Sequence, residues 1–427
     1  MLETLDLRDK TGDYLAHLPR PKAAGSPPIE AVREIIAAVR KSGDAALVEL
    51  THRFDGVELV EIEVSHDEMR RAYERIDGEL REALEVAAVA IRGYYELELH
   101  EDRQFRHNGL VVAQKTIPVA VAGCYVPGGK ARYPSSVLMT AIPASVAGVE
   151  EIVLCVPPGP DGHVDDATLA AAHIASVDHL YSVGGAQAIA AMAYGTESVK
   201  RCDVIVGPGN IYVSVAKREV ARDVGIPTAF AGPSEVVVIA DATVSAEWAL
   251  MDVIVQAEHG PDGMAWLVTW DQTLAASAAS ICAELLSGSP RKSETEATLN
   301  EGGYVVLVRD FAQAIEVSNA IAPEHLELLS ADFEKMVPLI KNAGAVFLGP
   351  YGTAAIGDYL AGPSHVLPTY GSARFGSALS VVDFQKRVHL VQASPEAIAK
   401  LSGHLSAIAD AEGLWAHGLS VRMRAAQ

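Results

Sequence analysis

The sequence predicts an α/β fold with parallel sheets, built from two α/β units and terminal extensions. From about residue 117, short Val- and Ile-rich runs that end in Gly or Pro alternate with Ala-rich runs of helical length, and a second alternation of this kind begins near residue 235. Apolar strands that alternate with helices are typical of a parallel sheet covered on both faces. A third observation, apolar residues spaced by three and four in the first hundred positions, predicts helices before the first unit.

Each predicted element follows from a short stretch of the chain. The early helices are "PIEAVREIIAAVRKSGDAALVELTHRFDG", which Gly43 and Asp44 divide into two, and "REALEVAAVAIRGYYELEL". The strands of the first unit are "PVAVAGCYVP", "EEIVLCVPP", "VDHLYSVGG" and "CDVIVGPG", and those of the second are "EVVVIAD", "MAWLVTW", "GYVVLV" and "AVFLGP". We expect residues 23–118 to pack with residues 236–375 as one globule and residues 119–235 to form an inserted second globule. Residues 1–22 form an N-terminal extension and residues 376–427 a helical C-terminal extension in this prediction.

Composition and charge exclude several classes of function. The chain has 427 residues, 49% hydrophobic and 21% charged, which suits two or three packed cores rather than disorder. Its formal net charge of -21 disfavours non-specific nucleic-acid binding. We expect a cytoplasmic protein without a signal peptide or membrane span, because no window has the required apolar length. The cysteines form no CxxC pair and are expected to be buried thiols; they are Cys124, Cys155, Cys202 and Cys282.

Gly-rich turns stand at four strand ends, each with a polar residue close by. The turns are "YVPGGKARYPSS", "SVGGAQAI", "VGPGNIYV" and "FAGPSEVV", and the polar residues are Tyr125, Gln187, Asn210 and Ser234. Glycine lets the backbone approach a ligand, and the carboxyl edge of a parallel sheet is where ligands bind. No GxGxxG follows an early strand, so the pattern favours a nucleotide or polar-substrate crevice without a complete dinucleotide fingerprint.

A glutamate precedes a histidine in two places, "VQAEHGPD" and "APEHLELL". In the first, Gln256 and His259 lie three apart on a predicted helix and could share a divalent metal; His259 could equally cap the last carbonyl groups of its helix. In the second, Pro323 suits a first helical turn, which would contain Glu324 and His325. They could form a proton-transfer pair or a solvated polar face.

Two further groups of polar residues lie near the C-terminus. "GDYLAGPSHVLPTYG" contains Asp358 and His365, and "AEGLWAHGLS" contains Glu412 and His417. Spacing alone is compatible with a surface loop and a solvated tail. The tail could instead complete a site in a neighbouring subunit.

Several long stretches, in this order, resemble the histidinol dehydrogenase family over nearly the whole chain. They are "CYVPGGKARYPSSVLM", "VGGAQAIAAMAYGT", "VGPGNIYV", "AGPSEVVVIAD", "QAEHGPD", "APEHLEL", "GDYLAGPSHVLPTYG", "DFQKR" and "AHGLSVRMR". The resemblance implies two incomplete Rossmann-like globules and a homodimer whose active site is shared between subunits. It also implies a zinc-dependent, NAD-linked enzyme that oxidises L-histidinol to L-histidine through histidinal, in the last steps of histidine biosynthesis.

The resemblance further implies a role for each candidate residue. Gln256, His259, Asp358 and His417 would bind one Zn²⁺ per subunit, and Glu324 and His325 would be the acid–base pair. Tyr125, Gln187 and Asn210 would contact NAD. Ser234, His365 and Glu412 would contact the substrate, together with the zinc ligands and His325.

Some positions depart from the family pattern, and they keep an alternative open. Ser364 follows Pro363 where Asn is frequent, Pro227 replaces an acid, and Thr140 stands where Asn is common. The alternative is an NAD-dependent dehydrogenase of another small polar alcohol, such as a sulfonated propanediol. A non-catalytic metabolite-binding protein is a further hypothesis, which would be expected to have lost Glu324, His325 or a zinc ligand.

Overall fold

The computed structural model describes residues 2–19, 27–128, 132–227, 234–258, 260 and 263–426. The strands in these ranges are β1 (Glu3–Asp6), β2 (Glu63–Val64), β3 (Arg103–His107), β4 (Leu110–Pro118), β5 (Val121–Tyr125), β6 (Glu151–Cys155), β7 (His179–Tyr181), β8 (Val204–Val206), β9 (Glu235–Ala240), β10 (Met264–Thr269), β11 (Gly303–Leu307), β12 (His325–Leu329), β13 (Ala345–Leu348) and β14 (Gln385–Ala393). The α-helices are α1 (Ile29–Asp55), α2 (His66–Arg75), α3 (Gly78–Glu96), α4 (Pro134–Val146), α5 (Asp166–Ile174), α6 (Gly185–Tyr194), α7 (Ile211–Val220), α8 (Ala246–Ala257), α9 (Gln272–Leu285), α10 (Lys292–Gly302), α11 (Phe311–Ile321), α12 (Phe333–Met336), α13 (Ala354–Tyr359), α14 (Pro395–Ala411) and α15 (Trp415–Ala425).

Two sheets organise the chain, as the predicted α/β class requires. Sheet A has the order β1-β11-β10-β9-β12-β13, and all its pairings are parallel. Sheet B has the order β2-β7-β6-β5-β8, with only the short edge strand β2 antiparallel. In each sheet the first strand of the α/β unit, β9 or β5, lies between its second and fourth strands. This is the doubly wound order of a Rossmann-like sheet, and it creates a switch point beside the first strand.

The early helices pack on sheet B, which corrects our prediction that they pack with residues 236–375. Helices α1, α2 and α3 contact α6, α5 and α4, respectively, and their buried side chains belong to the two hydrophobic clusters of sheet B. The reason is the composition of the inner helices: in α4 and α6 the described residues are buried almost without a break. A helix that is apolar on all sides needs a further covering layer, and the early helices supply it.

The terminal extensions are less separate than predicted. Strand β1 adds a parallel edge to sheet A through β11. Strand β14 lies within the predicted helical C-terminal extension and pairs antiparallel with β4, forming a three-stranded sheet in the order β14-β4-β3. Most of β14 is exposed. Beyond it, α14 and α15 pack against each other as a hairpin.

Two smaller predictions are also tested by the fold. All four cysteines are buried and unpaired, and burial raises the pKa of the Cys124 thiol to about 12. Gly43 interrupts α1 with a positive φ of 52°, as its position between two helical stretches predicts. Of the helices in the described ranges, none has the length and apolarity needed to cross a membrane.

Candidate active site

Glu324 and His325 lie at the amino end of β12, which corrects the helical turn that we predicted for them. Helix α11 ends at Ile321, and Ala322 takes a left-handed conformation with φ 55°. His325 is the first residue of β12 and pairs with Val236 on one side and Ala345 on the other. Pro323 therefore follows a helix end rather than starting a helix, a position that is equally common for proline.

The two side chains form a buried polar pair. The Nδ1 atom of His325 lies 3.7 Å from Oε2 of Glu324, and both side chains are about 7% exposed. Oε2 of Glu324 also accepts a hydrogen bond of 3.0 Å from the backbone N–H of Glu235. Burial raises the pKa of the Glu324 carboxyl to about 8, although hydrogen bonds from Glu235 and the Ser234 hydroxyl act against this rise. A buried carboxyl with a raised pKa beside an imidazole can exchange protons with a substrate.

Asp358 faces the same imidazole from α13. Its Oδ1 atom lies 3.8 Å from Nε2 of His325, and burial raises the pKa of its carboxyl to about 6. The backbone carbonyl of Asp358 lies 3.1 Å from Nδ1 of His365, whose Nε2 lies 2.9 Å from the hydroxyl of Ser136. His365 thus connects α13 with the first turn of α4, so sheet B meets the amino edge of sheet A here.

Gln256, in the last turn of α8, supplies a further donor. It is 4% exposed, and its Nε2 atom has no hydrogen-bond partner in the described ranges. An unpaired buried amide N–H suits a hydrogen-bond acceptor, whereas a metal would be bound through the Oε1 atom of the same side chain. His259 lies outside the described residues. Those residues contain no group of three or more His, Cys, Asp or Glu side chains able to hold a metal, so the ligand set is not complete within the described part of one chain.

Glu412 and His417, the two C-terminal residues of the predicted substrate and zinc site, are exposed in the single chain. Glu412 caps the end of α14, and His417 lies in the first turn of α15. The structure does not bring them to the cluster of Glu324, His325 and Asp358.

The three residues predicted to contact NAD occupy neighbouring turns at the carboxyl edge of sheet B. Tyr125 ends β5, and its hydroxyl accepts a hydrogen bond of 3.1 Å from the N–H of Gly185, two residues before the buried Gln187. Asn210 follows β8 and caps α7, where its Oδ1 accepts hydrogen bonds from Tyr212 and Val213. A Cβ on Gly207 would lie 2.0 Å from the carbonyl oxygen of Tyr125, so the turn after β8 needs glycine to approach β5. Contact of these residues with NAD stays a prediction.

Several polar residues of this region were not predicted. Glu235 is buried beside Glu324, and burial raises the pKa of its carboxyl to about 7. Glu327, on β12, is fully buried, and Asp252, on α8, is partly buried. The alternation in "HLELL" was the signal for Glu327, because a strand places it on the same face as His325.

Two of the positions that depart from the family pattern are engaged locally. The Thr140 hydroxyl donates to the carbonyl of Ser136 at 2.7 Å within α4. The Ser364 hydroxyl accepts from the N–H of Val366 at 3.1 Å, and the N–H of Ser364 donates to the Tyr95 hydroxyl at 2.9 Å. Both side chains therefore satisfy their polar atoms within the protein.

Comparison with known proteins shows the family to which the chain belongs. A sequence profile of the histidinol dehydrogenase family matches residues 18–425. The histidinol dehydrogenase of Pseudomonas syringae pv. tomato is 48% identical over 397 residues, which span 92% of this chain and 88% of that protein. That of Methylococcus capsulatus is 47% identical over 92% of this chain and 91% of its own length. The crystal structure of histidinol dehydrogenase from Elizabethkingia anophelis superposes with a TM-score of 0.94 at 33% identity, covering 99% of this chain and 98% of that one. The chain belongs to the histidinol dehydrogenase family of oxidoreductases.

Proposed function

We propose that this chain is a zinc-dependent, NAD-linked L-histidinol dehydrogenase that works as a homodimer in the cytoplasm. The observation that supports it best is the buried cluster of Glu324, His325 and Asp358, in which two carboxyl groups lie within 4 Å of one imidazole. In a family of oxidoreductases, this cluster provides the proton acceptor that alcohol oxidation requires.

The first half-reaction needs a base at the alcohol. The imidazole of His325 takes the hydroxyl proton while the carbinol carbon transfers a hydride to NAD, giving histidinal and NADH. In the second half-reaction water adds to the aldehyde, and Glu324 with His325 takes the proton of that water. The hydrate then transfers a hydride to a second NAD and becomes the carboxylic acid of histidine. Two NADH are formed for each histidinol.

Zinc would be held by Gln256, His259, Asp358 and His417. Once bound, it would orient the amine and imidazole nitrogens of the substrate and stabilise the ionised form of the carboxyl groups around it. The described residues support this assignment through the buried side chain of Gln256 and the largely buried carboxyl of Asp358.

The positions of Glu412 and His417 support the homodimer. Both are exposed on the hairpin of α14 and α15, so each would reach the substrate and zinc of the partner subunit rather than those of its own chain. Ser234, which bonds Glu324, and His365, which faces Asp358, would complete the substrate contacts within one subunit.

Reaction stoichiometry tests the proposal. Zinc-replete protein should form two NADH per L-histidinol consumed, with histidine as the product. One NADH per histidinol would contradict the double oxidation. Turnover of a small diol, with none of histidinol, would instead support the alternative of another polar-alcohol dehydrogenase.

A further inference from the structure

Two carboxyl groups, the fully buried one of Glu327 and the partly buried one of Asp252, join three elements of the candidate active site. Glu327 lies on β12 and is 0% exposed, and its Oε1 accepts a hydrogen bond of 2.8 Å from the N–H of Ala354 at the start of α13. Asp252 lies on α8, and its Oδ1 accepts a hydrogen bond of 2.8 Å from the hydroxyl of Thr353, the residue that caps α13. The two carboxyl groups therefore hold adjacent residues of the same helix start.

The electrostatics of Asp252 and Glu327 indicate that the two carboxyl groups are neighbours. The Oε2 atom of Glu327 is buried, and no N–H or O–H group of the described residues donates to it. Ala354, which bonds the Oε1 atom of Glu327, adjoins Thr353, which bonds Asp252, and the charge of Asp252 is the largest one that raises the pKa of Glu327. Two ionised carboxylates are acceptors only, so a bond between them requires one proton. Burial raises the pKa of the Glu327 carboxyl most, and the charge of Asp252 raises it further. Both effects favour a proton that stays on the pair.

Each element joined by this pair carries a residue of the proposed site. His325 lies two residues before Glu327 on the same face of β12, and that face packs against α8. Gln256 lies four residues after Asp252, one turn further along α8. Asp358 lies four residues after Ala354 in α13. A displacement of the carboxyl pair therefore reaches Gln256 and Asp358 over one helical turn each, and His325 over two residues of the strand.

We propose that Asp252 and Glu327 form a proton-sharing positioning pair that sets the spacing of Gln256, His325 and Asp358 and thereby the affinity of the site for zinc. The pair does not touch substrate or cofactor. This inference rests on the proposed function for the identity of the metal and the base, whereas the link of the pair to α13 stands on the hydrogen bonds alone.

The test compares Glu327→Ala with Glu327→Gln. Alanine leaves the N–H of Ala354 without its acceptor and Asp252 without its partner. Glutamine can accept from Ala354 and donate an amide N–H to Asp252, so it replaces the protonated carboxyl. We expect E327A to lower the zinc affinity 10- to 100-fold, the range seen when groups that orient metal ligands are removed, and E327Q to restore it to within a few-fold of wild type.

Each variant is characterised by two measurements that do not depend on catalysis. Chelator competition gives the zinc affinity, and hydrogen–deuterium exchange of the metal-free protein gives the local opening of residues 353–359. We expect at least tenfold faster exchange there in E327A and near wild-type exchange in E327Q. Ser330→Ala is the matched control: it removes a buried hydrogen bond of 2.7 Å to Asp241 from the residue just after β12, about 16 Å from His325. It should change neither readout.

The outcomes separate this inference from the proposed function. Unchanged exchange and zinc affinity in E327A would overturn the positioning role, and an E327Q variant as impaired as E327A would overturn the shared proton. If E327A does not fold, Asp252→Ala removes the other carboxyl of the pair, leaves Glu327 bonded to Ala354 and Thr353 free to cap α13, and should shift both readouts in the same direction. Wild-type protein that binds no zinc or leaves histidinol unoxidised would refute the proposed function, while exchange in the metal-free variants would still decide the link to α13.

Discussion

Replacing Glu324 with glutamine should stabilise the metal-free protein at neutral pH while impairing catalysis. The buried carboxyl has a pKa of about 8, against an ordinary value of 4.5. Because the pKa of Glu324 is higher in the folded chain than in the unfolded one, the protonated carboxyl contributes fully to folding stability below about pH 4.5. This contribution is lost as the pH rises towards 8. Glutamine keeps an oxygen to accept the hydrogen bond from Glu235 and has no proton to lose.

The magnitude follows from the proton affinities. Each tenfold difference in affinity corresponds to about 1.4 kcal/mol. At pH 7 the unfolded chain gains about 3 kcal/mol by ionising this carboxyl, and the folded chain gains almost nothing. At pH 5 the same difference is below about 1 kcal/mol. We therefore expect the advantage of the variant in free energy of unfolding to grow by about 2–3 kcal/mol between pH 5 and pH 7. Asp358 and Glu235 titrate in both proteins, so to first order their contributions cancel.

The assay is urea unfolding of chelator-treated protein at a fixed protein concentration, at pH 5, 6, 7 and 8. Glu334→Gln, which removes an exposed carboxylate from α12, is the control and should follow wild type. A difference between E324Q and wild type that stays constant over this range would refute the reasoning, because it would mean that Glu324 ionises as readily in the folded chain as in the unfolded one. In zinc-replete protein, E324Q should lower kcat about 100-fold or more.

Three further predictions concern the proposed site. Replacing His325 with asparagine should lower kcat by about 100- to 10,000-fold at unchanged zinc content, measured by NADH formation and metal analysis; retained activity would exclude it as the base. Co-refolding equal amounts of inactive His325→Asn and His417→Ala chains should restore about a quarter of wild-type activity, because half of the dimers are mixed and each has one intact shared site; no recovery would contradict the shared site. Asn210→Ala should lower the free energy of unfolding by about 1 kcal/mol through the lost helix cap and raise the KM for NAD, and a lost cap with unchanged KM would limit Asn210 to a structural role.

The alternation of strands and helices made both sheets predictable, but the layer outside them was not recognised. Helices α4 and α6 are rich in alanine and apolar on all sides, which already indicates that something must cover their outer faces. The early helices fit there because their own apolar stripes, such as Leu84, Ala87 and Ile91 on α3, match that need. The order of segments along the chain suggested that the early helices pack with residues 236–375. The apolar surface that needs covering lies instead on the helices of sheet B.

The placement of Glu324 and His325 shows a second limit of sequence patterns. Proline is compatible with both the first turn of a helix and the residues just after a helix end. The alternation in "HLELL" could have decided between them, since His325, Glu327 and Leu329 share one strand face. In the helical interpretation Glu327 has no special relation to His325, and the carboxyl pair with Asp252 could not be anticipated.

In the proposed site the two sheets contribute opposite edges, and the residues at their switch points explain why. In sheet B the carboxyl ends of β5 and β8 open into glycine-containing turns, where the predicted NAD contacts lie. In sheet A the corresponding point, between β9 and β12, is closed by Asp241, which accepts hydrogen bonds from Ser330 and Thr243. A carboxylate there would repel a phosphate, so the similar strand order does not provide a second nucleotide site. Sheet A instead presents the amino ends of β9 and β12 to sheet B, where His365 reaches Ser136. A hydride acceptor bound at the carboxyl edge of sheet B would therefore face the proton acceptor at the amino edge of sheet A, which is the arrangement that alcohol oxidation requires.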